Sequence, residues 1–577
     1  MNPERISLAV AHHEAGRFDQ AEAVYRQLLA ESPGQLDLLI SLGNVLSDAG
    51  RLDDAEPVYQ QVIATAPHAP ESAGAYEGLA AIYQDRGDLP KAVQASKKAA
   101  ELLGDADNAY AVALVLENIG HRDDAMDLFQ LAARLRPEFA DAHHKLAGYL
   151  RQRGLLDEAI GHYQIAIQTK PEMAEFHSNL ANALRLARRY DEALASIHQA
   201  IRLKPDLAES HNILGAILKD RDQPAVALAA FTRALQLKPD LADAVNNTAV
   251  VIEQAGRIDE AGALYERAVS LNPQHGEYHE HLGLNLLLRG QLERGWQEMD
   301  WRRTTSRSAA NRFLHHPMWD GSDLSGRTIL LHAEQGIGDT IQFLRYAPLV
   351  RDRGGRVIVE CQSPLMNLVR SVDGVSAVVA QRDPLPAFDL QCPLMSLPIP
   401  IRTRLDSIPA NVPYIKADPT ETATWKAILS SATGRKIGLV WAGKSSHRND
   451  KNRSFPPEMF APLAAVPGIT WINLQKDSAT SPPEQLKLLD YTHALTDFSE
   501  TAALIANLDL IITVDTAVAH LAGAMAKPTW ILLPAVPDWR WLLARDDSPW
   551  YPTARLFRQT TPGDWPSVIN RVAAALA

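Results

Sequence analysis

A chain of 577 residues is too long for one hydrophobic core, and 46% hydrophobic with 22% charged residues excludes wholesale disorder. The formal net charge of −12 sets the surface against phosphate backbones and anionic lipid, so no nucleic-acid partner and no membrane-surface role is expected. The longest mostly apolar stretch, residues 508–526, is broken by Asp509, Asp515 and His520, and MNPERISLAVAHHEAG lacks the basic start and apolar run of a leader. No membrane insertion is therefore expected, and a soluble, cytoplasmic protein is. Two cysteines, Cys361 and Cys392, lack the paired spacing of a zinc site and read as free buried thiols; no metal is expected.

The first three hundred residues repeat. GRFDQAEAVYRQLLAESP begins at Gly16, and GRLDDAEPVYQQVIATAP, GLLDEAIGHYQIAIQTKP and GRIDEAGALYERAVSLNP begin at Gly50, Gly154 and Gly256. A small residue recurs at Ala21, Ala55, Ala92, Ala125, Ala159, Ala193, Ala227 and Ala261, mostly 34 residues apart, with an irregularity at residues 67–72 and a degenerate ninth unit at Gly295. Each unit reads as two short helices that cannot bury their apolar faces alone, so neighbours stack into a superhelix. Alanine allows close helix approach, Tyr25, Tyr59, Phe129, Tyr163, Phe231 and Tyr265 fill the gap four residues on, and prolines such as Pro33, Pro171 and Pro273 stop the second helix. The pattern resembles the tetratricopeptide repeat family over eight full units.

Asn44, Asn179, Asn182 and Asn247 fall at phases that face the groove of such a superhelix, where an amide can bond both the N–H and the C=O of an extended peptide. Protein O-linked sugar transferases with such repeats use an asparagine ladder, which these positions resemble in broken form, with Lys145 and Ile213 at intervening rungs. The competing reading is that these are solvated helix residues.

After Trp301 the period disappears, and residues 301–327 read as a linker. From Thr328 short apolar runs alternate with helical stretches: TILLHAE, RVIVECQ, SAVVAQ, KIGLVWAG, TWINLQ, LDLIITVD and TWILLPA are predicted strands. Alternation of strands and helices implies parallel sheets, and the length fits two nucleotide-binding-type domains with a boundary near residues 409–420.

Ligands in open parallel sheets bind at the carboxyl ends of strands, which selects three places. In EQGIGDTIQFLRY, Gly336 and Gly338 open a helix and Asp339 sits at its start, placed either as a general base or simply as a helix cap. In WAGKSSHRNDKNRSFPPEMF, which carries Gly443, the residues Lys444, His447, Arg448, Lys451, Asn452 and Arg453 crowd one loop suited to phosphate oxygens, unless it is only a solvated charge run. In LDLIITVDTAVAHLAGAMAKP the strand ends at Val514, Asp515 and Thr516 form a turn, and the next helix offers N–H groups, with His520 one turn on.

These three pieces together resemble the heptosyltransferase-type group of GT-B glycosyltransferases, from Trp319 to about Trp565. The resemblance implies that Asp339 is the catalytic base, that Lys451 binds phosphate, and that Asp515, Thr516 and His520 match the donor motif D-T-G-x-x-H. Ala517 stands where that motif has Gly, a departure that keeps backbone donation but does not carry over the close approach of a donor phosphate. Gly443, Lys444 and Arg453 join the expected donor site. The fusion with repeats resembles bacterial transferases that include flagellin glycosyltransferases, some of which use a CMP-activated nonulosonic acid such as pseudaminic acid. The tail from Pro537 to Trp565 is similar too, and Trp539, Trp541 and Trp550 are either ring-stacking residues of the site or core packing.

The expectation is thus a tetratricopeptide-repeat solenoid over 1–300, a linker over 301–327, and an α/β GT-B region of two Rossmann-like domains over 328–415 and 416–577. The expected enzyme is metal-independent, needs no cofactor beyond a nucleotide-sugar co-substrate, and glycosylates Ser or Thr of a protein held by the repeats, flagellin being the acceptor the resemblance suggests. Two other readings stay open: a heptosyltransferase-like enzyme acting on a saccharide or lipid, and a non-catalytic repeat adaptor.

Overall fold

The computed structural model describes residues 3–305, 312–313, 315–446, 449–476 and 483–577. The chain forms two compact units, Met1–Pro239 and Asp240–Ala577.

The first unit is seven helical hairpins, from Pro3–Glu14 with Phe18–Glu31 to Ala208–Asp220 with Pro224–Leu237. The repeated small residues do what their spacing requires. Ala21, Ala55, Ala125, Ala159, Ala193 and Ala227 have no exposed surface, and Tyr25, Tyr59, Phe129, Tyr163 and Phe231 are buried beside them. Tyr59 inserts where a β-carbon on Gly43 or Gly78 would lie within 2.5 Å or 2.3 Å of its ring, so only glycine fits those two helix faces. The irregular stretch between the second and third hairpins contains a short 3-10 turn, Pro70–Ser72, closed by Ser72 Oγ donating to the Ala66 carbonyl at 2.6 Å. A device not visible in the repeat phrase secures the turns. Nε2 of His143, His177 and His211 bonds the carbonyls of Pro137, Pro171 and Pro205 at 3.0, 2.9 and 2.8 Å, giving each turn carbonyl a donor from the next hairpin.

The second unit opens with two more hairpins, Ala242–Gln254 with Ile258–Leu271 and Gly276–Leu288 with Leu292–Met299, followed by a 3-10 turn over Asp300–Thr304. Residues 306–311 and 314 of the predicted linker lie outside the described residues. The α/β region that follows has two wholly parallel sheets. In the first, β1 (Thr328–His332), β2 (Arg356–Cys361), β3 (Val375–Ala380) and β4 (Leu390–Pro393) run in the order β3-β2-β1-β4. In the second, β5 (Arg435–Val440), β6 (Ile469–Asn473), β7 (Leu489–Asp490), β8 (Leu510–Val514), β9 (Thr529–Leu533) and β10 (Ala554–Arg558) run β10-β9-β8-β5-β6-β7. A helical solenoid followed by two Rossmann-like parallel sheets is the predicted fold class. Strands β4, β7 and β10 are not among the predicted strands: β4 and β7 are four and two residues long, and β10 carries Arg555 and Arg558 within its five residues. Helix Pro419–Ile428, whose N-terminus is capped by the Asp418 carboxylate, leads into the second sheet. Cys361 and Cys392 are free and buried, and burial pushes the Cys361 thiol up to about 12. Among the described residues, no helix is long and apolar enough to cross a membrane.

The ninth hairpin is short because its second helix ends inside the α/β core. Trp296, 3% exposed, meets the rings of Trp539, Phe343 and Trp550 at 5.2, 6.2 and 6.3 Å, and its Nε1 donates to the Thr403 carbonyl at 3.2 Å. Just beyond it, buried Arg302 donates to Glu334 and Ser396, each at 2.8 Å, tying the end of the repeats to the turn after β1. Burial raises the Glu334 carboxyl despite this guanidinium. Replacing Trp296 by Ala removes a large ring from a packed aromatic cluster, so Trp296→Ala is expected to cost about 3–5 kcal/mol in urea unfolding of the second unit. A loss below about 1 kcal/mol would show that the hairpin merely rests on the core.

Candidate active site

Both sheets place their loops by the same rule. In each, the chain first builds outward in one direction and then returns to the other side of its starting strand, leaving a crevice at the carboxyl ends of the two strands where the order switches. In the first sheet that point lies between β1 and β4, and in the second between β5 and β8. All three sequence motifs follow β1, β5 and β8, so they occupy these two crevices.

After β1, helix Ile337–Phe343 begins at Gly336. Asp339 accepts from the Gly336 N–H at 2.8 Å, which is the capping role, and its other carboxylate oxygen accepts from Arg540 Nη2. After β5, Gly443 has no side chain because the Arg453 guanidinium occupies that space: a β-carbon there would lie 2.5 Å from Arg453 Nη2. Arg453 donates from Nη1 to the Asp515 carbonyl at 3.0 Å and faces Asp450 at 3.4 Å, so it joins the β5 loop to the turn after β8. After β8, Thr516 is the N-cap of helix Ala517–Ala524, and its own side chain makes no capping hydrogen bond to the first N–H groups. The Thr516 hydroxyl lies 3.1 Å from that of Thr513.

The two sheets' motifs meet directly. A β-carbon on Gly338 would lie 2.7 Å from His520 Cδ2 and 3.6 Å from Ala517 Cα, so this glycine allows the two helix starts to touch. His520 bonds the Tyr551 hydroxyl through Nδ1 at 2.9 Å, stacks on Trp541 at 5.6 Å, and keeps Nε2 3.9 Å from Asp515. Burial, reinforced by Arg540, Arg345 and Arg453, drives the His520 pKa well below 6.5, so the ring is neutral at physiological pH. Asp515 is held the other way: burial, then the neighbouring Asp538 carboxylate, push it up to about 6 against the pull of Arg453 and Arg540. Arg540 is opposed by burial, but Asp538, Asp339 and Asp515 outweigh that and hold its charge firmly.

The structure thus brings Asp339, Gly443, Arg453, Asp515, Thr516, Ala517 and His520 into one region. Lys444 and Lys451 are exposed on the loop beside it, and His447 and Arg448 lie outside the described residues. The tryptophans do not offer ring faces to a base or sugar. Trp539, Trp541 and Trp550 are 4%, 0% and 1% exposed, because Trp539 and Trp550 fill the core around Trp296 and Trp541 backs His520. Among the groove positions, Asn44 accepts from the Tyr59 hydroxyl at 2.6 Å, Asn179 pairs with His144 at 2.8 Å, and Asn182 accepts from Arg185 at 3.1 and 3.2 Å. Asn247 is half-buried on helix Ala242–Gln254. Sequence reasoning missed Arg540, Asp538, Gln342 and Tyr551. The signal was available in PDWRW, an arginine between two aromatics next to an acid, in a stretch read only for its rings.

The position of Asp515 has a consequence for stability. Its folded pKa lies above the ordinary carboxyl value, so the ionised side chain costs stability that is absent below about 3.8 and fully present above about 6. Asp515→Asn, which stays neutral, should therefore gain in melting temperature over the unaltered protein as pH rises from 4 to 7, with the gain levelling off above about 6. A difference that is constant over this range would place the carboxylate in a well-solvated setting.

Comparison with known proteins adds to this geometry. Tetratricopeptide repeat profiles match residues 12–76, 110–174, 174–207 and 214–276. The profile of glycosyltransferase family 9 (heptosyltransferase) matches residues 492–533, which include Asp515, Thr516, Ala517 and His520 but not Asp339 or the β5 loop. The chain is 28% identical over 321 residues to Protein FlbA of Caulobacter vibrioides, covering 50% of this chain and 53% of that one. It therefore spans about half the length of this curated relative. Among solved structures, a thermophilic tetratricopeptide protein of Thermus thermophilus, TTC0263, is 23% identical over 32% of this chain and 99% of its own, with a TM-score of 0.29. Yeast Tom70 is 14% identical over 52% of this chain and 85% of its own, with a TM-score of 0.31. Tetratricopeptide repeat profiles thus match stretches between residues 12 and 276, and a short glycosyltransferase family 9 match takes in β8 and the turn that follows it.

Proposed function

We propose that the chain is a GT-B, metal-independent protein O-glycosyltransferase of the cytoplasm, which moves a sugar from a nucleotide-activated donor to a Ser or Thr hydroxyl of a protein held by its repeats. The observation that carries this reading is the contact of the two switch-point turns, Gly338 on His520 and Ala517, with Asp339 beside them. A donor bound there has its leaving phosphate against the N–H groups at the start of helix Ala517–Ala524, the Thr516 hydroxyl and Arg453, with Lys444 and Lys451 at the loop edge. Asp339 takes the proton of the acceptor hydroxyl, the oxygen forms its bond to the anomeric carbon, and the bond from that carbon to the phosphate oxygen breaks, its electron pair leaving with the nucleotide. The guanidinium and backbone donors supply the charge stabilisation that a metal supplies elsewhere. In this reading the asparagines at 44, 179, 182 and 247 grip the acceptor, a CMP-activated nonulosonic acid is the favoured donor, and flagellin is the favoured acceptor.

The family 9 (heptosyltransferase) match favours a second reading, transfer to a saccharide or lipid, with the repeats used for docking. A version starting at Asp240, which keeps the two hairpins of the second unit, separates the two: a saccharide enzyme retains transfer, whereas a protein glycosyltransferase loses its acceptor.

Asp339→Asn is expected to lower transfer about 10²–10⁴-fold while the protein still binds nucleotide, measured by transfer assay and calorimetry. Transfer within a few-fold of the unaltered protein would leave Asp339 as a helix cap alone.

A further inference from the structure

The candidate base is not free to act as it stands, and the residue that holds it belongs to neither motif. Arg540 is 7% exposed and sits on the 3-10 turn Trp539–Trp541, with its guanidinium lying 4.3 Å from the centre of the Trp539 ring. Each of its three nitrogens makes one hydrogen bond: Nε to the Gln342 side-chain oxygen, Nη1 to Asp538 at 2.8 Å, and Nη2 to Asp339. Asp339 and Gln342 both lie on helix Ile337–Phe343, whereas Asp538 follows β9, so one guanidinium bridges the acceptor-side helix and the donor-side sheet. An arginine has five N–H groups, so among the described residues the second N–H of Nη1 and of Nη2 is left for another acceptor. Solvent reaches the pair through its carboxylates, whose side chains are 20% exposed at Asp339 and 34% at Asp538.

We propose that Arg540 is a donor-site residue shared between Asp339 and the leaving phosphate: before the nucleotide sugar binds it is paired with Asp339, and the bound phosphate draws it away, freeing Asp339 to take the acceptor proton. The inference rests on the transferase reading and deepens it. The chemistry favours the exchange. A phosphate presents more charge and more oxygens to a planar fork than one carboxylate does, and Asp538 stays bonded at Nη1 to keep the guanidinium in place as its partner changes. Arg453, a part-buried cation facing the turn after β8, is bonded to the Asp515 carbonyl and faces Asp450, not Asp339. The exchange also imposes an order, in which the base is released only once a donor is present.

The test is a thermodynamic cycle on the full chain, with UDP, GDP, ADP and CMP as calorimetric probes. If Asp339 and phosphate compete for Arg540, removing the carboxylate charge tightens nucleotide binding. Asp339→Asn is expected to lower the Kd of the bound nucleotide by about 5-fold or more, the scale of ordinary coupling between sites. Arg540→Gln is expected to raise it by about 10-fold, and Asp339→Asn placed on Arg540→Gln to change it by less than about 2-fold. Arg540→Lys, which keeps the charge but loses the fork, should show a tightening of intermediate size and serves if Arg540→Gln does not fold. An unchanged Kd in Asp339→Asn, or equal tightening with and without Arg540, overturns the exchange and leaves the transferase reading standing. Failure of the unaltered protein to bind any of the four nucleotides overturns the transferase reading, and the exchange with it.

Discussion

The site depends on one bridge, the pairing of buried Arg540 with partly exposed Asp339. Burying a guanidinium costs several kcal/mol unless it is paired and hydrogen-bonded. Here Asp339 also takes the Gly336 N–H, and Arg540 also reaches Gln342, Asp538 and the face of Trp539. The bridge works only because Gly338 lets helix Ile337–Phe343 come within contact of His520 and Ala517. A β-carbon at 338 would lie 2.7 Å from His520 Cδ2, so any side chain there forces the two helix starts to shift.

The ninth helical hairpin holds both ends of that bridge. Trp296 packs against Phe343, four residues beyond Asp339, and against Trp539, which immediately precedes Arg540. Arg302 reaches back to Glu334, two residues before the turn that Gly336 opens. The last hairpin is therefore also a wall of the α/β core, and its second helix is only eight residues long.

The repeats were legible because their information is local and redundant: a period of 34 residues, stated many times, survives the loss of any one position. The strands of the parallel sheets were legible where they are continuous apolar runs, as in β1, β5 and β8, and illegible where pairing rather than composition defines them, as in the two-residue β7. The three glycine- or acid-marked turns were found because strand ends are where parallel sheets bind ligands. Arg540 could not be found that way. It lies 201 residues from Asp339, and nothing in a single sequence says that two such residues share a hydrogen bond. The tryptophans stayed open between two readings for a related reason: a ring that packs on Trp296 and a ring that stacks on a base have the same composition signal and differ only in burial.

The charge balance of the site narrows what it can hold. His520 is neutral, so it contributes a dipole and a packing surface and no positive charge. Asp339, Asp450, Asp515 and Asp538 place four carboxyl groups within reach of two guanidinium groups, the part-buried Arg453 and the buried Arg540. Such a balance does not attract an anion from solution by net charge. In the proposed reading, an anion enters by offering each guanidinium a better set of oxygens than its present partner, with the exposed loop lysines at 444 and 451 supplying the initial attraction. Recognition by exchange of partners favours a ligand with several closely spaced anionic oxygens over a single carboxylate, which is the chemistry of an activated sugar's phosphate.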